Sequence, residues 1–222
     1  MTNIFTLKNP ISSITEMLLS RIKQICTAQE IPFFIAGATA REILLHHVHG
    51  RSIGRRTRDI DIAVFVDGWP PDREIIMAVD GFSDAFSHTV IVQLGNAEKL
   101  PFCSLPGLAL LKLFAWRDRG QVNAKDATDL YKINREYGAI EDERIYDQPV
   151  EGERLGWDSI RMGASLLGSD IAAIGEPSSL AELKRFDTER LTDVILRQSG
   201  LDDVGEIELI MDDFWNGITS GN

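Results

Sequence analysis

Thr57-Arg58-Asp59-Ile60-Asp61-Ile62-Ala63-Val64-Phe65-Val66 is an apolar, β-branched run with two carboxylates near its start. It predicts a buried strand from Asp59 to Val66. Residues two apart in a strand point to one face. Asp59 and Asp61 would then lie a few ångströms apart and repel each other unless a cation sits between them. Hard oxygen donors at that spacing suit Mg²⁺, which takes one or two carboxylates and then the phosphates of a substrate.

Upstream of this run, Ile11 to Glu30 carries Ile14, Met17, Leu18, Ile22 and Ile25 at helical spacing, with Ser12 or Ser13 as N-cap. Pro32-Phe33-Phe34-Ile35-Ala36 reads as a short buried strand ending at Gly37. Thr39 to His49 reads as a helix stopped by Gly50. This helix–strand–helix–strand opening predicts an α/β or α+β core: a small mixed sheet flanked by helices. Downstream, Asp67-Gly68-Trp69-Pro70-Pro71-Asp72 breaks the chain. Strands are expected at Glu74 to Val79 and at His88 to Leu94, with a turn or short helix from Phe82 to Phe86. Helices follow at Leu108 to Arg117 and Lys125 to Arg135. From Glu141 onward the chain is helical, with its best pieces at 160–167, 171–174, 180–186 and 190–198. Gly168, Gly175, Pro177 and Gly200 punctuate them.

The composition is that of a soluble globular protein, 44% hydrophobic and 26% charged, with no apolar run of membrane-spanning length. Cys26 and Cys103 are too few and too far apart for a disulfide framework or a zinc site. The polar N-terminus does not resemble a signal peptide, so a cytoplasmic location is expected. The net charge of −11 opposes broad nucleic-acid binding. Against that, Arg41, Arg51, Arg55, Arg56 and Arg58 fall within eighteen residues holding one acid, Glu42. This basic stretch is either a solvated helix end and loop or a phosphate-facing patch on an acidic body.

Gly37-Ala38-Thr39-Ala40-Arg41 joins the first strand to its helix. A glycine there lets backbone approach a ligand closely. The helix start offers N–H groups to phosphate, with Thr39 adding a hydroxyl and Arg41 a cation one turn in. Lys112 interrupts the apolar run Leu108 to Trp116, which places its amine on a polar stripe or at a cleft edge. Lys125 and Asp129 are i, i+4 on one helix, Asp126 and Asp129 are i, i+3, and Arg117 could pair with either acid. His46, His47 and His49 do not give a tetrahedral ligand set and read as a partly exposed helix-terminal cluster. Trp69, Trp116, Trp157 and Trp215 read as core or lid residues. There is no Ser-His-Asp logic and no Walker-type phosphate loop.

Four motifs occur in order: Gly37-Ala38-Thr39-Ala40-Arg41, Thr57-Arg58-Asp59-Ile60-Asp61, Leu108 to Arg117 with Lys112, and Lys125-Asp126-Ala127-Thr128-Asp129-Leu130. Together they resemble the nucleotidyltransferase superfamily related to DNA polymerase beta, and more narrowly its AbiEii/AbiGii toxin-type branch. The resemblance covers roughly residues 30–140. It implies a nucleotidyltransferase-like domain over 1–140 and a helical C-terminal region over 141–222. It implies that Gly37, Ala38 and Thr39 hold the triphosphate of an NTP, with Arg41, Arg58, Arg117, Lys125 and Asp129 around the nucleotide. Asp59 and Asp61 would hold two Mg²⁺ ions and Lys112 would contact phosphate. The implied partners are an NTP, a tRNA or other acceptor and a cognate antitoxin protein, with no membrane. The family brings a third carboxylate from a later strand; here the chain turns early at Gly68-Trp69-Pro70-Pro71, and Asp80 is the well-placed substitute. Without a third acid, the rival is a nucleotidyltransferase-fold binding module that performs no chemistry. A third reading makes the acids a strand-end ion pair with Arg58 and Arg41.

Overall fold

The computed structural model describes residues 4–52, 59–64, 80–120, 123–147, 149–199 and 204–220. The fold is mixed α/β, a five-stranded mixed sheet with helices and a helical C-terminal region. The chain groups into two compact units, Met1–Leu108 and Ala109–Asn222.

The first unit holds the sheet. Its strands are β1 (Ile4–Thr6), β2 (Phe33–Ile35), β3 (Ile62–Val64), β4 (Thr89–Gln93) and β5 (Lys99–Cys103). Their order is β1-β4-β5-β2-β3. β1 runs parallel to β4 and β5 parallel to β2, while β4–β5 and β2–β3 are antiparallel. Two strands were not expected from the sequence. β1 is three residues long, too short for a periodic signal. β5 is Lys-Leu-Pro-Phe-Cys, whose proline argues against a strand; it pairs with β4 across a turn at Gly95-Asn96.

Helix α1 (Ser13–Ala28) begins as its sequence directs, with Ser12 Oγ accepting the Thr15 N–H at 3.1 Å. Its apolar stripe does not face the core. Leu19 and Cys26 are buried, whereas Ile14, Met17, Leu18 and Ile25 are exposed. Helix α2 (Gly37–Glu42) starts two residues before the expected Thr39 and continues as a π-helical segment, Ile43–Val48. The chain before α1 is pinned to that segment. The carbonyl of His47 accepts the N–H groups of Lys8 and Asn9, and the carbonyl of His46 accepts Asn9 Nδ2. Helix α3 (Phe82–Ser87) sets Phe82 and Phe86 against Phe34 of β2, each ring 6.0 Å away.

β3 is an edge strand among the described residues, and this corrects the buried-strand expectation. Phe34 pairs with Ala63, and both are buried. Their neighbours Ile62 and Val64 are 42% and 45% exposed. The strand begins at Ile62, so Asp59 and Asp61 precede it. Phe65, Val66 and the expected strand at 74–79 lie outside the described residues.

The second unit is helical: α5 (Lys125–Ile140), α6 (Asp142–Tyr146), α7 (Pro149–Arg154), α8 (Ser159–Ile174), α9 (Pro177–Leu183), α10 (Thr188–Ser199) and α11 (Val204–Ser220). Helix α4 (Leu105–Arg119) begins earlier than expected, because Ser104 Oγ accepts the Gly107 N–H at 3.3 Å and Pro106 is tolerated in a first turn. Gly168 is not a break. It lies inside α8, where an added Cβ would be 2.1 Å from the Phe214 carbonyl of α11. Gly163 and Gly138 meet likewise, 2.2 Å separating such a Cβ from the Gly138 nitrogen. These glycines let helix backbones touch, and at Gly168 the sequence alone suggested punctuation. Asp213, 2% exposed on α11, is held by Arg161 Nε at 2.6 Å and Arg154 Nη1 at 3.3 Å.

Candidate functional site

In the first unit the two acids are joined to the start of α2. Ala36 occupies the N-cap position, and its methyl cannot accept a hydrogen bond. Asp61 supplies the cap from elsewhere in the chain: its Oδ2 accepts the Ala38 N–H at 3.3 Å. The Asp61 carbonyl accepts the Ala36 N–H at 2.9 Å, and the Thr39 hydroxyl donates to the Asp59 carbonyl at 2.8 Å. Three bonds therefore zip residues 59–61 onto residues 36–39. A carboxylate is a favourable neighbour for the unpaired N–H groups of a helix start.

Gly37 is required here for two separate reasons. Its φ is +59°, a conformation costly for other residues. A Cβ added to it would lie 2.0 Å from Asp61 Oδ2. The expected closeness of the glycine turn and the acid pair is thus present within this unit. Asp59 and Asp61 are both exposed, whereas Thr39 and Arg41 are buried at 5% and 4%. Arg41 is therefore not a solvent-side cation beside the turn. Asp80 is exposed in the turn ahead of α3, where Gly81 takes φ +82°. Arg58, like Arg55, Arg56 and Trp69, lies outside the described residues.

A groove of about 500 Å³ opens beside Asp59. One wall is Thr39, Glu42, His46 and His47, a continuous strip of α2 and its π-helical extension. Ile14 and Leu18 of α1 contribute the exposed apolar side chains to its lining. His46 Nδ1 lies 2.9 Å from the Arg51 carbonyl and His47 Nδ1 3.1 Å from the Asn9 carbonyl. The sequence reading treated this histidine cluster as a helix end; the structure makes two of its members the lining of a cavity. His49 differs, since burial, with Lys8 adding to it, brings its imidazole down to about 4.

In the second unit, Lys112 Nζ lies 2.8 Å from Asp126 Oδ1 and 2.9 Å from Asp129 Oδ2. Arg119 completes the cluster, its Nε donating to Asp126 Oδ2 at 2.6 Å and its Nη2 to Oδ1 at 3.1 Å. Burial raises the Asp126 carboxyl, but the hydrogen bond from Arg119 and the charge and hydrogen bond of Lys112 outweigh it, so the group titrates below its ordinary value. The partners differ from those expected. Asp129 engages Lys112 rather than Lys125, which is exposed. Arg117 pairs with Asp118 at 2.8 Å and lies 5.0 Å over the Phe114 ring. Arg119 was missed, although a signal was available: Lys112 and Arg119 are two helical turns apart and share a face, as Asp126 and Asp129 do on α5.

Among the described residues no group of three or more His, Cys, Asp or Glu is placed to hold a metal. Asp59 and Asp61 offer hard oxygen donors in an exposed position, which fits a Mg²⁺ that draws its remaining ligands from phosphate and water. They do not fit a closed, all-protein cage.

No protein-family model, curated protein or solved structure matches this chain. No helix of the described residues is long and apolar enough to cross a membrane.

Proposed function

We propose that this chain is a Mg²⁺-dependent nucleotidyltransferase, moving a nucleoside monophosphate from an NTP to an acceptor hydroxyl. The observation that carries this reading is the Asp61 carboxylate packed on the Gly37 turn, with Asp59 exposed beside it. Asp59 and Asp61 would hold Mg²⁺, which when bound neutralises charge developing on the phosphates. The backbone around Gly37 and Ala38 holds the triphosphate close to the acids. The acceptor hydroxyl passes its proton to the third carboxylate as its oxygen attacks the α-phosphorus, an O–P bond forms, the bond to the β-phosphate bridging oxygen breaks, and pyrophosphate leaves. Positioning and charge neutralisation supply most of the acceleration. Asp80 is the candidate for the third carboxylate. The finer expectation is a cytoplasmic bacterial toxin acting on tRNA or another acceptor and restrained by an antitoxin.

One observation favours a rival. Asp61 already caps α2, and Lys112 is already held by Asp126 and Asp129. Both can be explained as architecture, as a binding module without turnover would require. Incubating the full chain with labelled NTPs, Mg²⁺ and total tRNA separates the readings. Transfer that disappears in Asp59→Ala and Asp61→Ala supports the enzyme, and dependence on Asp80 completes it. No transfer by the wild type, or equal transfer by the two variants, sinks it.

A further inference from the structure

The groove beside Asp59 holds acceptor groups that the transfer reading does not use. Glu42 is half-buried on its wall and makes no hydrogen bond or ion pair with the described residues. His46 and His47 each place Nδ1 against a backbone carbonyl. A carbonyl oxygen only accepts, so each Nδ1 carries a proton, and the neutral form of each ring has its lone pair on Nε2. Neither Nε2 has a partner among the described residues. The two rings meet edge to face at 4.8 Å.

The backbone under these residues is unusual. Ile43–Val48 is π-helical, with the His49 N–H bonded to the Leu44 carbonyl five residues back. Such turns are rare and concentrate at functional sites. Here the wider turn lets consecutive histidines line one cavity, and the Lys8-Asn9 backbone holds it in place. Ile14, Leu18, Ile43 and Ile60 add apolar surface and Ser12 and Thr15 add hydroxyls, while no lysine or arginine among the described residues lines it. The volume is in the range of small-ligand sites.

We infer that this groove binds a small organic cation, an amine-bearing molecule with an apolar body. Its ammonium groups donate to the Glu42 carboxylate and the two Nε2 atoms, and its methylene groups lie along Ile14 and Leu18. An anionic ligand would meet the Glu42 carboxylate here, with no lysine or arginine among the described lining residues to offset it. As a binding site the groove stands without the transfer reading; only its role as the acceptor site, with a hydroxyl of the bound cation presented at Asp59, rests on that reading.

Calorimetric titration of the full chain with spermidine, without NTP or Mg²⁺, tests the site separately from catalysis. Binding is expected, weakened at least tenfold by Glu42→Gln and by Leu18→Lys, which adds a cation at an already exposed position. Glu208→Gln, which removes an exposed acid of α11, should leave the affinity unchanged. Circular dichroism checks that each variant folds; Leu18→Lys keeps the test decisive if Glu42→Gln does not. Absence of spermidine binding overturns the proposal. So does unchanged affinity in folded groove variants, equal weakening by Glu208→Gln, or competition by inorganic phosphate.

Discussion

Two pairs of aspartates, one in each unit, are treated in opposite ways. Asp126 and Asp129 are 2% and 3% exposed and share Lys112, with Arg119 added on Asp126. Asp59 and Asp61 are exposed, and the contacts of residues 59–61 with the glycine turn run largely through backbone atoms. A buried carboxylate must be neutralised by the protein itself, because no water is there to do it. An exposed pair faces no such demand and can take its counter-charge from a ligand. The difference teaches that spacing of acids in a sequence says little about their use until burial is known.

The strongest way to break the comparison is Lys112→Met. It leaves Asp129 without its lysine in a dry site, at a cost of about 3–5 kcal/mol in urea unfolding. A loss below about 1 kcal/mol would mean the cluster is not structural. Acid unfolding gives a second check. Asp126 titrates below its ordinary 3.8 when folded. Its contribution is therefore complete above that value and drains away as the pH falls through the lower, folded value. Asp126→Asn should unfold more easily at neutral pH and lose that part of the acid dependence.

Gly37→Ala should cost about 1–3 kcal/mol through backbone strain and the collision with Asp61. In the transfer assay it should behave like Asp61→Ala. Asp61→Ala removes a remote helix cap and should cost about 1 kcal/mol by thermal unfolding. Asp59→Asn should change stability by no more than about 0.5 kcal/mol while abolishing transfer, the sharpest separation of function from folding on offer. An Asp59→Asn protein as destabilised as Lys112→Met would erase the distinction between the pairs.

Where local chemistry decides, the sequence was legible. Ser12 caps α1, β2 gives way to helix α2 at Gly37, and Phe82–Ser87 forms the short helix expected at 82–86. The glycine–acid juxtaposition was legible too, since strand–glycine–helix followed by a strand brings those residues together. Other features were hidden for physical reasons. Apolar periodicity shows which residues share a face of α1 but not whether that face is covered. A β-branched run reads alike in a central or an edge strand, so the exposure of Ile62 and Val64 could not be foreseen. Gly168 looks like a breaker until another helix is seen to need its space.

The sequence by itself determined the alternation of elements, the capped start of α1, and the glycine turn between the second strand and its helix, because turns, caps and periodicity act over a few residues. Only the tertiary structure decided which acids are spent and which are exposed. It paired Lys112 with Asp126 and Asp129, turned Asp61 into the cap of a helix twenty-odd residues away, and set Glu42, His46 and His47 along one groove. Charge pairing and burial depend on what packs nearby in space, and no local pattern encodes that.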